Sequence, residues 1–450
     1  MSETFRIKKG LDIKLKGKAE KIYKRAERAS AYALKPTDFH GIMPKLLAKP
    51  GDKVNVGSPL FYDKYNERVK FTSPVSGKVK AINRGERRKI LEVVIQPDDK
   101  DEFVEFKTGN SGDLTRDEIV EIFLESGMWP VIRQRPYDII PKPESIPRDI
   151  FISGFDSSPL AADVDFIVKD FKDEFQEGIN ILNKLSGGGV YLSTNAAYPP
   201  CKTYAEVKGV KHYQFRGPHP TGNVGIQVHH IKPINKGEVI WYVRPQDVIR
   251  IGNLFRNGTL DNSTVVALAG SEVQKPVYYK LSIGSSITPL IKDNIKEGDL
   301  RFISGNVLTG TRIEKDGYIG FYANLVSVIP EGKYFEFFGW AKPGFNKFSI
   351  SRTYWSWLKP NKRYRLDTNL KGGRRAYVVT GQYEKVFPMN IYPVQLVKSI
   401  LVEDIDKMEK LGIYEVAEED MALCEFVCTS KTEVQKIIRQ GLDLMKKETE

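Results

Sequence analysis

The segment GIMPKLLAKPGDKVNVGSPLFYDKYNERVKFTSPVSGKVKAINRGERRKILEVVIQ, residues 41–96, is a string of short apolar runs separated by turn residues. This pattern predicts a small all-β domain. On its N-terminal side the chain is strongly basic, and after residue 105 the pattern changes. We therefore place a first domain, a β domain with a basic N-terminal segment, at residues 1–105.

The turn at residues 50–52 and the stretch 73–79 are similar to the flattened barrel-sandwich of biotinyl and lipoyl domains. Those domains present a modified lysine on a tight hairpin. The lysine lies about eight residues before the proline that begins the second half of the domain. Eight residues before Pro74 this chain has Asn66, and Lys64 lies two residues further back. We therefore predict a structural barrel and not a swinging-arm carrier.

Between residues 115 and 249, helical stretches alternate with apolar, β-rich runs. The predicted elements are strands at DIFISG (149–154), 190–193 and VIWYV (239–243), and helices at 118–126, 166–185 and 249–255. Asp113 or Thr115 can cap the first helix, since a short oxygen side chain accepts hydrogen bonds from free N–H groups. This alternation predicts a Rossmann-like α/β domain, which we place at residues 106–258.

From residue 263 to about residue 328 the β pattern returns, in VVALAG, VYYKLSIG, RFISGNVLTG and IGFYANLVSVI. The apolar spacing then predicts helices at 394–411 and 431–447. The fold class is therefore a multidomain α/β protein. Its third domain is placed at 259–335, and its C-terminal region, mainly helical at the end, at 336–450.

The formal net charge of +12 favours an anionic partner, which could be nucleic acid, the inner leaflet of a membrane or an acidic protein face. Charge does not choose among them, but no recognised nucleic-acid reading module is present, and we predict no nucleic-acid binding. No apolar run approaches the roughly 18 to 20 residues of a spanning helix, and the N-terminus lacks a signal segment. Three cysteines fit a reducing compartment. We expect a cytosolic protein that can dock on a membrane.

Glycine-rich phosphate loops do not occur in the required place. A dinucleotide site needs a strand, then G-x-G-x-x-G, then a helix, whereas Gly187, Gly188 and Gly189 follow a predicted helix and precede a strand. We predict that these glycines end the helix. The predicted strand at 149–154 is followed by one glycine and Asp156, which would repel a phosphate. The sequence therefore predicts no nucleotide site.

Four of the five histidines, His212, His219, His229 and His230, fall within twenty residues of one another. Such a cluster could bind a metal or move protons, so a stand-alone metal-dependent enzyme using the residues from His212 to His230 is the alternative function. We expect His229 and His230 on a strand, where neighbours point to opposite faces and cannot share one site. GPHPTGN is predicted as a loop between strands.

Cys424 and Cys428 are four residues apart and could lie on one face of a helix. Zinc and iron–sulfur sites need about four ligands, and Cys201 is the only other thiol. We predict packed, apolar thiols and no bound metal. The pattern does not assign these two cysteines a role.

The segment GMWPVIRQRPY, residues 127–137, combines two arginines with two aromatic residues. Aromatic faces and guanidinium donors could hold a quinone ring and its carbonyl oxygens, and the same residue types are common anchors of protein interfaces. The candidate quinone or partner contacts are Trp129, Arg133, Arg135 and Tyr137. No catalytic residue is predicted.

Seven blocks of sequence occur in an order typical of one family. They are residues 7–12 (IKKGLD), 129–136, 219–230, 301–310 (RFISGNVLTG), 372–376 (GGRRA), 381–388 (GQYEKVFP) and 418–428 (EEDMALCEFVC). On these blocks the chain resembles the A (alpha) subunit of the Na+-translocating NADH:quinone oxidoreductase along nearly its whole length. The blocks are more specific than any short motif.

The resemblance implies a peripheral location on the cytoplasmic side of the bacterial inner membrane, in a complex that passes electrons from NADH to quinone and exports sodium. It implies that the chain binds chiefly the membrane-embedded B subunit, one of the partner subunits of the complex, which run from B to F. NADH, the flavins (FAD, FMN and riboflavin) and the iron–sulfur centre would belong to other subunits. This chain would then hold no cofactor and would not be catalytic alone.

The family is similar in architecture to the C subunit of the Rnf complex and to the NADH-binding subunit of respiratory complex I. By that likeness, residues 259–335 would form a β-grasp (SLBB-like) domain, whose ligand is not implied. Quinone binding by this chain is a further implication of the resemblance. Sodium transport is expected elsewhere, because an ion path needs polar groups embedded in the membrane.

Overall fold

The N-terminal residues are divided between two sheets. The computed structural model describes residues 3–339 and 341–449. Strand β1 (Glu3–Arg6) pairs in parallel with a strand near residue 213, and β2 (Tyr23–Arg25) pairs in parallel with a strand near residue 279. These residues therefore connect sheets that the rest of the chain builds much later.

The following residues form a barrel-sandwich of two antiparallel sheets. Its strands are β3 (Tyr32–Leu34), β4 (Pro44–Leu46), β5 (Lys53–Val54), β6 (Pro59–Asp63), β7 (Asn66–Thr72), β8 (Gly77–Arg84) and β9 (Ile90–Pro97). One sheet has the order β3-β9-β8-β5 and the other β4-β6-β7. Phe39, Phe61 and Phe71 stack between them. Lys64 lies exposed in the two-residue turn between β6 and β7, although its sequence spacing differs from that of the carriers.

The second domain is an α/β layer. Its elements are α1 (Arg116–Ser126), β10 (Arg133–Arg135), β11 (Ile150–Ser153), α2 (Val164–Val168), α3 (Lys172–Leu185), β12 (Val190–Asn195), α4 (Lys202–Glu206), β13 (Val210–Arg216), α5 (Val224–Ile231), β14 (Ile240–Tyr242) and α6 (Pro245–Asn257). The sheet order is β1-β13-β12-β11-β14-β10, and only β10 is antiparallel to its neighbour. Thr115 caps α1, and its partner Glu118 completes a capping box.

Two predictions for this layer change in detail. The single helix predicted at 166–185 is two helices, α2 and α3, and the acidic residues Asp173 and Glu174 lie in the first turn of α3, where they favour a new N-terminus. Helix α3 ends at Leu185 with Ser186 as its C-cap, and residues 187–189, predicted to end the helix, follow that cap and lead into β12. Helices α3 and α6 cross closely because Gly178 and Gly252 lie at their contact, and a Cβ at Gly252 would fall 1.8 Å from the Glu174 carbonyl oxygen.

The third domain is a mixed sheet, and the chain ends in helices. The third-domain elements are β15 (Ser263–Ala269), β16 (Val277–Ser282), α7 (Thr288–Ile291), β17 (Leu300–Ser304), β18 (Thr311–Ile313) and β19 (Leu325–Pro330), in the sheet order β18-β17-β19-β15-β16-β2. The terminal helices are α8 (Tyr383–Val386), α9 (Pro393–Leu401), α10 (Ile405–Lys410), α11 (Ala422–Val427) and α12 (Val434–Thr449). No helix in the described part of the chain is long and apolar enough to span a bilayer.

Candidate functional site

A cleft with a volume of about 490 Å³ lies at the carboxyl ends of β11 and β14. In the sheet, β12 lies on one side of β11 and β14 lies on the other. The chain adds β12 and β13 on one side of β11 and then crosses to add β14 on the opposite side, so the order of the strands reverses between β11 and β14. A parallel α/β sheet opens a crevice at such a switch point, and ligands commonly bind there. Side chains of the barrel, the third domain and the C-terminal helices close the cleft, for example Asp38, Asn306 and Glu418.

Two helices begin at this cleft. Asn223 precedes the first turn of α5, and Arg244 precedes the first turn of α6, and both residues line the cleft. The first N–H groups of a helix lack partners within the helix and carry a partial positive charge. The cleft therefore offers hydrogen-bond donors at its α/β wall.

Arg133 enters the cleft from the edge strand β10. Its Nη2 donates to Asp138 Oδ2 at 2.5 Å, and its guanidinium lies 4.9 Å from the ring centre of Tyr322 and 5.5 Å from that of Tyr242. Burial raises the pKa of Asp138, but the charges of Arg133 and Arg135 outweigh it and hold that pKa below its ordinary value. The stacked arginine therefore stays charged and fixed beside two aromatic rings.

Arg244 is a second cation beside the Tyr322 ring. Its guanidinium is 5.0 Å from the ring centre, so the ring has two cations close to it. The Tyr322 hydroxyl donates to the Pro130 carbonyl at 2.6 Å, which fixes the ring in place. This arrangement leaves a flat, aromatic wall with positive charge at its edges.

His219 is a buried, neutral donor or acceptor in the same cleft. Its Nδ1 lies 3.0 Å from Ser157 Oγ, and the Gly222 N–H donates to that oxygen at 2.8 Å. The hydroxyl proton is free to donate to Nδ1, and in that tautomer the neutral ring carries its own proton on Nε2. Burial lowers the pKa of His219 to about 4, so the ring is uncharged at neutral pH.

Three acidic side chains in the cleft hold protons more readily than exposed acids. Burial raises the pKa of Asp38 against the opposing charge of Lys35, and burial also raises the pKa of Asp156. Burial and the neighbouring Asp420 raise the pKa of Glu419. Groups with perturbed pKa values commonly gather at functional sites. The cleft therefore contains carboxyl groups that keep their protons at a higher pH than exposed acids do.

The structure separates the four contacts predicted in residues 129–137. Only Arg133 reaches the cleft. Trp129 is fully buried, where its Nε1 donates to the Pro141 carbonyl at 2.8 Å and its ring meets Trp241 edge-on. Arg135 is also buried and pairs with Asp420 at 2.5 Å and with Glu419 at 2.7 Å. The Tyr137 hydroxyl lies 2.9 Å from Thr449 Oγ1.

The position of β10 explains why most of these side chains do not reach the cleft. This strand pairs with β14 on one side and lies under the C-terminal helices on the other. The aromatic and arginine side chains of the segment therefore find partners inside the protein. A quinone or partner contact at Trp129, Arg135 or Tyr137 would require these internal contacts to open. Arg133 remains the candidate that a ligand can reach.

The histidine cluster is dispersed, and the strand predicted for His229 and His230 is wrong. Both residues lie on the helix α5, because Val224, Val228 and Ile231 repeat at helical spacing and pack on the sheet. The GPHPTGN loop consequently joins a strand to a helix. His229 Nδ1 lies 2.8 Å from Glu415 Oε2, while His230 Nδ1 lies 2.8 Å from the Ile226 carbonyl.

No group of three or more His, Cys, Asp or Glu side chains in residues 3–339 and 341–449 is arranged to hold a metal ion. Cys424 lies on α11 and Cys428 directly follows that helix, and both are buried. Burial raises the pKa of the Cys424 thiol well above its ordinary value. The two thiols therefore pack inside the C-terminal region, among side chains such as Tyr383.

Several cleft residues could not be found from the sequence. Tyr242, Tyr322 and Lys35 come from three different domains, and they meet only because the domains dock. His219 and Asp156 carried a signal, since the first belongs to the histidine cluster and the second follows a buried strand at a sheet edge.

Comparison with known proteins covers most of the chain. Residues 5–98 match the family profile described as the NqrA N-terminal barrel-sandwich hybrid domain, residues 114–260 the NqrA second alpha/beta domain, and residues 265–315 the NQRA C-terminal domain, an SLBB domain. The barrel-sandwich, α/β and SLBB architecture expected from the sequence is thereby confirmed, together with the helical C-terminus.

Whole-length relatives bear one name. The chain is 39% identical over 448 residues to the Na(+)-translocating NADH-quinone reductase A subunit of Hahella chejuensis, covering 98% of this chain and 99% of the relative. It is 38% identical over 451 residues to the protein of that name in Rhodopirellula baltica, covering 98% of each chain. Among solved structures, an air-oxidized NAD+-reducing [NiFe]-hydrogenase superposes at a TM-score of 0.39 and 10% identity, covering 74% of this chain and 61% of that chain.

Proposed function

This chain belongs to the NqrA family, the A subunits of Na(+)-translocating NADH-quinone reductases, and from that premise we propose that it is a peripheral component on the cytoplasmic side of such a complex. It docks chiefly on the membrane-embedded B subunit, within an assembly whose other members run from C to F. The complex is the enzyme, a translocase that couples electron transfer to sodium transport. NADH, the flavins and the iron–sulfur centre are held by other subunits, and this chain alone is not catalytic.

Within that role we place a quinone contact at the cleft of the α/β domain. The observation that carries this assignment is the pairing of two donors, Arg133 and His219, with the stacked wall of Tyr242 and Tyr322. A quinone ring is flat and apolar and carries two carbonyl acceptors. The tyrosine rings can cover its face, while a guanidinium and a neutral imidazole N–H can donate to its oxygens.

The cleft chemistry also suits the reduced form of such a ring. Reduction of a quinone to a quinol consumes two electrons and two protons, and the electrons come from other subunits of the complex. Acids whose pKa values are raised by burial, such as Asp156, carry protons at a higher pH than exposed carboxyls do. These groups can therefore supply protons to a ring that is being reduced.

A binding measurement on the purified chain tests the cleft. A water-soluble ubiquinone analogue is titrated against the native protein and against the double variant Arg133→Leu/His219→Leu, whose side chains carry no hydrogen-bond donor. Loss of two donors worth about 1 kcal/mol each predicts a weakening of about tenfold or more. Arg352→Leu, at an exposed arginine outside the cleft, is the matched control and should leave binding unchanged. Equal affinity of a folded double variant would refute the site.

Membership of the complex is tested independently. Affinity purification of the native chain from its own membranes should recover the membrane subunits, and the isolated chain should show neither a flavin nor an iron absorption band. A solitary protein with a bound chromophore or a stoichiometric metal would overturn the assignment.

A further inference from the structure

Residues 331–380 form a long loop that we call the aromatic loop. It contains twelve aromatic residues, among them three of the five tryptophans of the chain, and eleven Lys and Arg residues against three carboxylates, a net charge of +8. Apart from a single 3-10 turn at Trp355–Leu358, its described residues form neither helix nor strand. The loop therefore accounts for +8 of the formal net charge of +12 of the chain.

The loop is closed at its base by a network of polar contacts. Glu331 accepts two hydrogen bonds of 2.7 Å from Arg301 of the third domain and one from Thr368. The Tyr334 hydroxyl donates to Asp367 Oδ2 at 2.6 Å. These contacts bring residues 331–334 against residues 367–368, so that the chain between them forms a closed loop.

The middle of the loop is also braced internally. The Trp355 N–H donates to the Pro343 carbonyl at 2.9 Å, and Ser356 Oγ donates to the Lys347 carbonyl at 2.6 Å. Lys347 also pairs with Glu336 at 2.6 Å. At its other end, the backbone of Tyr364 pairs with residues 14 and 16 near the N-terminus. The loop is therefore a formed surface, and not an extended tether.

Its aromatic side chains nevertheless face solvent. Phe335 is fully exposed, Phe337 is 83% exposed, and Trp355 and Trp357 are each about half exposed. Of the 24 large apolar side chains that are exposed among the described residues, eleven lie in this loop. A folded protein rarely leaves a concentrated apolar surface uncovered unless that surface binds something.

We propose that the aromatic loop is the surface through which this chain docks on its membrane-embedded partner, and that the partner presents an acidic face with apolar pockets. The proposal rests on the proposed function, which supplies the partner. Phe, Trp and Tyr anchors beside arginines are the usual hot spots of protein interfaces. The excess of cations in the loop, of which only some pair with carboxylates outside it, favours an acidic face on the occupant, because opposite charge steers association and fixes orientation.

The loop geometry favours a protein partner over a lipid surface. Peripheral binding to lipid generally uses an amphipathic helix whose apolar face lies in the bilayer plane. The described residues of the loop form no such helix, and their aromatic rings are distributed along an irregular backbone. An irregular surface with rings at several heights suits separate pockets on a protein.

The docking surface can be tested in the intact complex. Full-length chains carrying Phe335→Ser/Phe337→Ser or Trp355→Ser/Trp357→Ser are expressed with the remaining subunits and purified by a tag on the membrane subunit. The amount of this chain recovered should fall more than tenfold for each double variant. Tyr65→Ser, which removes a similarly exposed ring from the barrel hairpin, is the matched control and should be recovered like the native chain.

The outcomes separate the surface from the function. If the native chain itself is not recovered with the membrane subunit, the proposed function fails together with the partner. If the native chain and both folded double variants are recovered equally, only the docking surface is wrong. Binding of the isolated native chain to phosphatidylglycerol vesicles, lost in the variants while the complex stays intact, would overturn the protein partner in favour of lipid.

Discussion

Residues 129–137 and the aromatic loop have the same chemistry and opposite environments. Both combine tryptophan, tyrosine and arginine, but Trp129 and Arg135 are buried, whereas Phe335 and Trp355 face solvent. In the first region each arginine meets a carboxylate, Asp138 or Asp420. The aromatic loop itself holds three carboxylates for eleven cations, and Lys333, Arg365 and Arg374 pair with carboxylates outside the loop. Whether aromatic and arginine side chains are buried in a core or exposed as anchors for a partner depends on the internal contacts that the fold supplies.

The largest expected effect comes from breaking the buried ion pair. Arg135→Ala leaves Asp420 charged and buried, and such a broken pair costs about 3 to 5 kcal/mol of unfolding free energy. Urea denaturation followed by circular dichroism measures it. Lys333→Ala, which removes an exposed ion pair with Asp299 at the base of the aromatic loop, should cost less than about 1 kcal/mol. Equal losses for the two variants would contradict the distinction between the regions.

Measuring the unfolding free energy at a series of pH values tests whether the fold holds the buried His219 side chain neutral. Its pKa is about 4 in the folded state and near 6.5 when unfolded, so below pH 6.5 the unfolded chain binds a proton that the folded chain does not. The unfolding free energy should therefore fall as the pH drops from 6.5 to 4, by up to about 3 kcal/mol from this residue.

The variant His219→Gln provides the reference for that series. It lacks the titrating group, so the difference in unfolding free energy between native protein and variant should shrink across this pH window. A constant difference from pH 7 to pH 4 would show that His219 is not held neutral by the fold.

A smaller effect is expected from a conservative change of tryptophan. Trp129→Phe removes the Nε1 donor and leaves the buried Pro141 carbonyl without this hydrogen bond, which costs about 1 to 3 kcal/mol. Trp355→Phe keeps an exposed ring exposed and should alter stability by less than about 0.5 kcal/mol. The thermal unfolding midpoints of the two variants measure the contrast.

Local patterns predicted the order of the elements well. The capped helix α1 and the strand runs at β11, β12 and β14 were found because their apolar spacing and turn residues are local properties. The strand predicted at His229 and His230 was wrong because two polar neighbours in a short apolar run do not distinguish periods of 2 and 3.6. The helix forms there because its apolar stripe packs on the sheet.

The candidate site was much less predictable. Arg133 was predicted from the sequence, but the aromatic wall beside it was not. Tyr242 and Tyr322 belong to different domains and lie more than 75 residues apart in sequence, so they meet only when the domains dock. Trp129 and Arg135 do not reach the cleft because they are buried, and their burial depends on the docking of the C-terminal helices. Neither property is written in the local sequence pattern.

The pairing of β1 with β13 affects how the protein folds during its synthesis. Phe5 lies beside Phe215 in the sheet, so β1 has no partner until more than two hundred further residues have been made. At roughly 5 to 20 residues per second, that interval is about 10 to 40 seconds. The barrel has its own strands and can fold during this time. Strand β1 is thus synthesised well before β13 and joins the α/β sheet late.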